Sequence, residues 1–423
     1  MRPPRRPCWF DGGVTPTDPL AARIDALRAD TPGTDHVVHL NNAGSALPPA
    51  IVTDTVVAHL RREELFGGYE AHAEALPRVS AARDSVGRLV GAAGSDVAFA
   101  ESATVAWGRG LQAIVNSGQL RAGDEVLVAS SEYASNVIPL LQLQRSIGVE
   151  VRFVPDGPDG SLDVEAFGGM LGPRTALVAI THAPSQNGLI NDVVGVGAAM
   201  RAANSRAWYL VDACQSVGQI PVDVRAIGCD FLSATGRKFL RGPRGTGFLT
   251  VSARALAELE PFPLDLNSAE WVATGESGER FEMAAQACAR YEPWEKSYAT
   301  VLGLGAAANY ALDLTLEAIA ARIGAVATSL RAGLAAIEGV TVNDRGSVRG
   351  GIVTFMKAGV DARDSAAALR SAGINVSFSP PDYALRDFVD YGISGQVRLS
   401  PHVFTSEDEV ARVLDVVAAP TSG

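Results

Sequence analysis

Lysine is nearly absent from this chain of 423 residues. Of 36 basic residues only three are lysines, Lys238, Lys296 and Lys357, and the other 33 (36 − 3) are arginines. One of the three lies in the turn-rich stretch from Phe231 to Thr250, in Ser233-Ala-Thr-Gly-Arg-Lys238-Phe-Leu-Arg-Gly-Pro-Arg-Gly-Thr-Gly247. Arg can replace Lys as a surface charge, but it cannot become a neutral amine and form a Schiff base. Taken alone, Lys238 is equally consistent with a chance survivor of an Arg-biased composition.

Other absences narrow the field. The cysteines Cys8, Cys214, Cys229 and Cys288 are few and lack metal-ligand spacing. Neither a metal site nor a disulfide framework is expected, and a reducing, cytoplasmic setting is. No uninterrupted apolar run reaches about 18 residues, which argues against a membrane-spanning helix. The start Met1-Arg-Pro-Pro-Arg-Arg-Pro-Cys-Trp9 is followed by no apolar stretch of signal-peptide length and reads as a flexible arm. No repeat recurs at a period of about 20–50 residues. With a net charge of −11 and no basic face, nucleic acid is not the expected partner. What remains, 47% hydrophobic and 20% charged, is a globular chain long enough for one large and one smaller domain.

Helical spacing of Leu20, Ile24 and Leu27 predicts a helix over 19–29, and 37–40 reads as a short strand. Helices are expected at 50–65 and 77–92. Strand-like runs then appear at 97–100, 125–129, 149–154, 175–181, 208–212, 230–233 and 247–251. Helical stretches at 103–119, 135–147, 163–171 and 192–204 separate many of them. Several strands lack alternation, as expected when both faces are buried, so the pattern argues for a mainly parallel α/β sheet covered by helices. The stretch 252–292, with Pro261, Pro263, Gly275 and Gly278, loses the pattern and reads as a long irregular crossing. Helices at 296–321 and 323–338 lead into a smaller α+β unit. Its strands are expected near 339–343, 351–356, 374–378 and 396–400, and its helices at 361–372 and 406–418. The expected division is an arm and helix at 1–36, a large domain at 37–295 and a small domain at 296–423, with the N-terminal segment able to pack on the small one.

Three local patterns carry chemistry. Strand 208–212 ends in Asp212, at the sheet edge where open α/β folds bind ligands, although an acid there can also be a plain helix cap. Ala100-Glu-Ser-Ala-Thr104 opens a helix, and its free amides suit either a phosphate or a simple Ser/Thr cap. The glycine-rich Arg241–Gly247 lacks the ending of a P-loop and reads as a tight turn into a strand.

In order, Glu101-Ser-Ala-Thr104, Glu132-Tyr-Ala-Ser-Asn136, His182-Ala-Pro-Ser-Gln-Asn-Gly188, Asp212-Ala-Cys-Gln215 and Thr235-Gly-Arg-Lys238 resemble the class V aminotransferases. These are fold type I pyridoxal 5′-phosphate enzymes that include cysteine desulfurases, selenocysteine lyases and isopenicillin-N-epimerase-like proteins. The resemblance spans about residues 37–420 and implies a large domain with a mainly parallel, seven-stranded type of sheet and a smaller C-terminal domain. It implies that Lys238 holds pyridoxal 5′-phosphate as a Schiff base and later moves the proton at the substrate Cα. Asp212 would pair with the pyridine nitrogen, and Gln215, with Ser185 or Gln186, would meet the phenolic oxygen. Tyr133 would stack on the ring, while Ala103, Thr104, Thr235 and Arg237 would hold the phosphate. Arg398, in Gly395-Gln-Val-Arg-Leu-Ser400, would clamp the substrate α-carboxylate, with Asn42 and Gly44 also at the substrate. The alternative for Arg398 is a surface charge, but its fork suits a carboxylate.

Two departures from the family pattern stand out. Desulfurases carry a nucleophilic Cys just before this Arg, where this chain has Gly373-Ile-Asn-Val-Ser-Phe-Ser-Pro-Pro381 and no cysteine. They also use a Gly-Thr pair to reach the neighbouring subunit, where this chain has Trp294-Glu295 within Arg290-Tyr-Glu-Pro-Trp-Glu-Lys-Ser297. The resemblance implies a homodimer with shared sites, Trp294 and Glu295 touching the partner. The features around Tyr133, Ser377–Pro381 and Trp294 are similar to the carbon–sulfur lyase-like branch of natural-product pathways. The leading expectation is therefore α,β-elimination from a cysteine S-conjugate to thiol, pyruvate and ammonia. Decarboxylation-coupled oxidative deamination to an aldehyde, epimerisation, desulfuration by another thiol, and a non-catalytic cofactor-binding regulator are the alternatives.

Overall fold

The seven apolar runs that opened the α/β reading come together as one sheet. In the computed structural model, which describes residues 18–419, they are β1 (Val97–Ala100), β2 (Glu125–Ala129), β3 (Glu150–Val154), β4 (Thr175–Thr181), β5 (Trp208–Asp212), β6 (Phe231–Thr235) and β7 (Gly247–Val251). Their spatial order is β1-β7-β6-β5-β4-β2-β3. Only β7 runs against its neighbours β1 and β6, and the remaining pairs are parallel. The missing alternation has a direct cause. Leu127, Val178, Tyr209 and Leu232 join the apolar core on one face, while Val126, Val128, Leu177, Leu210 and Phe231 join the core on the other. Each fully buried side chain of this size contributes about 1.5–3 kcal/mol. The edge strand β3 keeps Glu150 exposed, which discourages pairing with another chain.

Arg/Pro-rich residues 1–17, Cys8 included, lie outside the described residues. The segment that follows them is laid on the small unit. Val38–His39 pairs in parallel with Ile374–Asn375, and Asn41 bridges to Ser400. Arg28 Nη1 donates to the Phe404 carbonyl at 3.1 Å, and Arg322 pairs with Asp18 at 2.9 Å. The small unit is a four-stranded antiparallel sheet with its own apolar core around Phe355, Leu330 and Val397. Its strands are β8 (Val340–Val342), β9 (Val353–Lys357), β10 (Ser377–Ser379) and β11 (Gln396–Leu399), in the order β8-β9-β11-β10.

Four expectations need correction. The second long helix runs over Gly68–Leu89, beginning nine residues (77 − 68) before the expected start and passing through Pro77. It is held there by the helix Tyr298–Leu314, whose Gly305 lies so close that a Cβ would meet Ala82 Cα at 2.8 Å. The break between the two helices after residue 296 falls at Thr315, with φ of 68°, not near residue 322. Apolar periodicity runs on through this point, while the Thr315 hydroxyl caps the Ala318 amide at 3.2 Å. The stretch 252–292 is not wholly irregular, since Ala269–Ala273 and Arg280–Met283 form an antiparallel hairpin. Finally, the helix Leu316–Ala335 is apolar enough, with mean hydropathy 1.2, to match a membrane span. Its Ile319, Ile323, Leu330 and Leu334 are instead buried in the cores, and its Arg322 is tied to the carbonyls of Val403 and Thr405.

Candidate active site

Parallel strands deliver their C-terminal ends to one edge of the sheet, and the motif residues sit there because each follows a strand. Asp212 closes β5, Lys238 follows β6 by three residues (238 − 235), and Tyr133 follows β2 at the mouth of the helix Ala134–Ser146. Asp212 is buried. Its Oδ1 accepts from the Cys214 amide at 2.8 Å and its Oδ2 from Asn136 Nδ2 at 2.9 Å. The same Asn136 nitrogen donates to Glu132 Oε1 at 2.8 Å, and Glu132 also takes the Thr181 amide at 2.7 Å and the Thr181 hydroxyl. Burial pushes the Glu132 carboxyl up to about 7, aided by the charge of Asp212 and opposed by the Thr181 and Asn136 hydrogen bonds.

Half-buried Lys238 lies within electrostatic reach of the Cys214 thiol. Burial raises that thiol, and the Lys238 charge counters it only in part. Tyr133 is within electrostatic reach of Cys214, Tyr383, Arg237 and Asp212, and desolvation raises its phenol. Its ring is 6.3 Å from that of Tyr383, tilted by 47°. Lys238, Asp212, Cys214, Tyr133, Arg237 and Tyr383 thus share one site.

At the opening of the helix Ala103–Asn116, Ser102 caps the Val105 amide with its hydroxyl and the Ala106 amide with its carbonyl. The first-turn amides of Ala103 and Thr104 have no partner within the helix. A side chain at Gly247 would close this cradle, because its Cβ would meet Ala103 N at 2.9 Å and Ser102 C at 2.6 Å. Thr235, paired with Gly247 across the sheet, donates its hydroxyl to the Thr246 carbonyl at 3.1 Å. Arg237 donates to the Gly44 carbonyl, and its own carbonyl accepts from Ala46 N at 2.8 Å.

Arg398 comes from the other unit. On β11, opposite Thr354 and Ser377, its guanidinium is buried and has no acidic partner among the described residues. Nη1 donates to the Ser185 carbonyl at 3.1 Å and Nη2 reaches Asn41 Oδ1 at 3.4 Å, while Nε has no partner. Burial lowers it to about 10, with Tyr383 and Tyr133 opposing, so it remains a cation at neutral pH. A buried cation without a counter-charge is costly, and an incoming carboxylate would supply one.

Several expected residues have other work. The Asn42 amide nitrogen is spent on the carbonyls of Ser400 at 2.7 Å and His39 at 3.3 Å, and its free atom is an acceptor, unsuited to a carboxylate. Its neighbour Asn41 is the one that touches Arg398. Gly44 contributes a carbonyl to Arg237, and a Cβ there would meet Asn41 Oδ1 at 2.5 Å. Both ends of the Gln186 amide are engaged, by the Ser131 carbonyl at 3.2 Å and the Ser185 hydroxyl at 3.1 Å, so Gln186 braces the loop. Ser185 reaches the site through its carbonyl. Gln215 Nε2 donates to the Ala43 carbonyl at 3.0 Å and its Oε1 is buried without a partner. Trp294 and Glu295 lie on an exposed strip braced beneath by Glu292, which binds Arg83 at 2.6 Å and Lys296 at 2.7 Å.

Tyr383, Glu132, Asn136 and Asn41 were not assigned roles by sequence reasoning. Glu132 and Asn136 lay inside a motif already noted, Glu132 just before the helix Ala134–Ser146 and Asn136 in its first turn, but their other partners, Thr181 and Asp212, end separate strands. The segment bearing Tyr383 is clamped to the large unit. Asp387 pairs with Arg345 and accepts from Asn187 Nδ2 at 3.3 Å, Arg345 lies 3.3 Å over the Tyr391 ring, and the Tyr391 hydroxyl donates to Asp156 at 3.0 Å.

The residues present fit pyridoxal 5′-phosphate. An open amide cradle suits its phosphate, a buried carboxylate fixed at both oxygens suits its ring nitrogen, and a half-buried lysine lies near Cys214 two residues beyond that carboxylate. The sequence model of the family described as Aminotransferase class-V matches residues 38–413. Among curated proteins, a probable cysteine desulfurase of Methanothermobacter thermautotrophicus is 29% identical over 394 residues, covering 92% of this chain and 96% of that protein. A cysteine desulfurase of Yersinia pestis is 28% identical over 405 residues, covering 92% and 96%. The structure of a cysteine desulfurase from Thermococcus onnurineus NA1 superposes with a TM-score of 0.83 at 24% identity, covering 93% of this chain and 97% of that one. The cystine C–S lyase C-DES, in complex with its reaction product cysteine persulfide, has a TM-score of 0.79 at 21% identity, covering 92% and 99%.

Proposed function

This chain belongs to the class V aminotransferase family of pyridoxal 5′-phosphate enzymes, and from that premise we propose that it cleaves the carbon–sulfur bond of a cysteine S-conjugate without taking sulfur onto a protein cysteine. One observation carries the reading. The segment beside Arg398 offers Ser377, Ser379 and Tyr383 where a desulfurase would present a thiol, and it is fastened by the Asp387–Arg345 pair.

Arg398 binds the α-carboxylate with its free Nε and an Nη, which fixes the amino acid at the end of β11. Pyridoxal 5′-phosphate would be held through Lys238 and would supply the electron sink that acidifies the Cα–H. Asp212 would hold the ring nitrogen, and the Asn136 and Cys214 contacts keep that carboxylate in place. Once the substrate amine has taken its place on the cofactor, the freed Lys238 amine would take the Cα proton. The Cβ–S bond then breaks with its electron pair going to sulfur, and a proton gives the free thiol. With one water consumed, the remaining fragment leaves as pyruvate and ammonia. No redox partner is needed. Tyr133 and Tyr383 stand together within electrostatic reach of Arg398.

The names of the curated relatives favour a second reading, desulfuration of free cysteine. Among the described cysteines only Cys214 stands at Lys238, and the burial that raises its thiol opposes thiolate attack. Anaerobic incubation with cysteine, an S-alkyl cysteine and a D/L amino-acid probe separates the readings. Equimolar thiol and pyruvate is the expected result. Persulfide on the enzyme, aldehyde with carbon dioxide, or inverted stereochemistry alone would each replace it.

A homodimer fits this reading. Trp294 (50% exposed), Trp271 (69%) and Phe281 (53%) of the hairpin and Leu65 (71%) leave large apolar side chains in solvent that a second copy would cover.

A further inference from the structure

We propose that Glu132 is a positioning residue for the cofactor ring, holding Asn136 so that Asp212 is fixed as the ring-nitrogen acceptor and a second carboxylate stands behind it. The proposal rests on the reading that Asp212 meets that nitrogen. Glu132 touches nothing at the site's surface. It is buried, has no ion pair among the described residues, and spends its oxygens on Thr181 N, the Thr181 hydroxyl and Asn136 Nδ2.

Asn136 is the link. Its single amide nitrogen carries two hydrogens, one for Glu132 Oε1 at 2.8 Å and one for Asp212 Oδ2 at 2.9 Å. Both neighbours are acceptors, so the amide has one favourable orientation. The isosteric change Glu132→Gln places a donor against Asn136. The amide must then turn over, which sets its carbonyl oxygen against the Asp212 carboxylate. A purely structural acid would tolerate this substitution, since shape and volume are kept.

The titratable groups seen to act with Glu132 are Asp212 and the Tyr209 phenol, and among the described residues no basic side chain forms an ion pair with it. Burial and the Asp212 charge raise Glu132 to about 7. Below that pH the group is neutral, and above it a second negative charge lies behind Asp212 and favours the protonated ring nitrogen. For the cofactor-free protein the raised value means that this group's stabilising contribution is fully present below its ordinary value of 4.5 and is lost as pH rises through about 7.

The test uses the purified holoenzyme with Glu132→Gln, Asn136→Ala and the double variant. Absorption spectra from pH 5.5 to 9 and the dissociation constant for pyridoxal 5′-phosphate are measured. Wild type should show a spectral inflexion near 7 that disappears in Glu132→Gln, and the variant should bind the cofactor about tenfold more weakly, the effect of one charge-assisted hydrogen bond. Asn136→Ala should weaken cofactor binding to the same extent and, because Glu132 still titrates but loses a hydrogen bond that lowers it, should move the inflexion to higher pH, and the double variant should bind the cofactor no more weakly than Asn136→Ala. Wild-type spectra and affinity in either single variant, or full additivity in the double, overturn the proposal. If Glu132→Gln does not fold, Asn136→Ala alone decides. Asp212→Asn tests the underlying reading separately, because an unchanged spectrum there would remove Asp212 from the ring whatever Glu132 does.

Discussion

Replacing Arg398 by Lys keeps a positive charge and removes the fork. The guanidinium is anchored by the Ser185 carbonyl at 3.1 Å and by Asn41 Oδ1 at 3.4 Å, which leaves Nε and one Nη face open. A bound α-carboxylate would take two parallel hydrogen bonds from that open edge. Lysine offers one point contact and cannot keep both anchors while reaching it. Hydrogen bonds to charged groups are worth about 1.5–3 kcal/mol, so losing one arm and part of the anchoring should cost about 2–3 kcal/mol. That corresponds to roughly 30–150-fold weaker substrate binding. The effect should fall on KM, or on the concentration of an S-alkyl cysteine needed to perturb the cofactor spectrum, with a smaller change in kcat. The cofactor should remain bound. An S-alkyl cysteamine, which lacks the carboxylate, provides the control and should bind both proteins alike. A variant that binds the carboxylate substrate within about threefold of wild type, or that weakens both ligands equally, would refute the assignment of Arg398 as the carboxylate site.

Lys238→Ala should abolish both the yellow Schiff-base absorption and turnover while leaving a folded protein; surviving colour and activity would dissolve the whole site assignment. Acid sensitivity is a further expectation. Burial lowers His182 to about 4 and His402 to about 3, and His402 is held as the neutral form by Nε2 against the Phe239 carbonyl at 2.9 Å and by Nδ1 accepting from Val403 N at 2.9 Å. Their folded values lie below the ordinary 6.5, so their contribution is complete above pH 6.5 and is lost as pH falls towards 4 and 3. Between pH 7.5 and 5 the loss should be about 2 kcal/mol per histidine, read as a lowered denaturation midpoint. His402→Asn should start less stable at pH 7.5 and fall less, and an equal fall would remove His402 from the account.

Much of the large sheet could be read in the sequence because its signal is local. A strand buried on both faces is a short apolar run bounded by turn residues, and β1, β2, β4, β5 and β7 begin and end as expected. The motif residues were legible for the same reason, since each is a strand end or a helix opening. Long-range features were not. The helix from Gly68 runs through Pro77 because Ala82 packs against Gly305 more than 200 residues away, and composition at residues 68–76 says nothing of that contact. The hairpin at 269–283 is exposed, so no buried face patterned it.

The order of five motifs, with one of only three lysines among them, pointed to the family and the cofactor without any coordinates, and the stretch before Arg398 holds no cysteine. Tertiary structure decided which polar neighbours those residues use. Whether Asn41 or Asn42 meets Arg398 depends on how one turn lies against Ser400 on a strand some 360 positions away. Glu132 becomes a group of interest only when β4 brings Thr181, and the helix following β2 brings Asn136, to the carboxylate of Asp212. Hydrogen bonds are short-ranged and directional, so partners distant in sequence can be matched only once the backbone has brought them within about 3 Å.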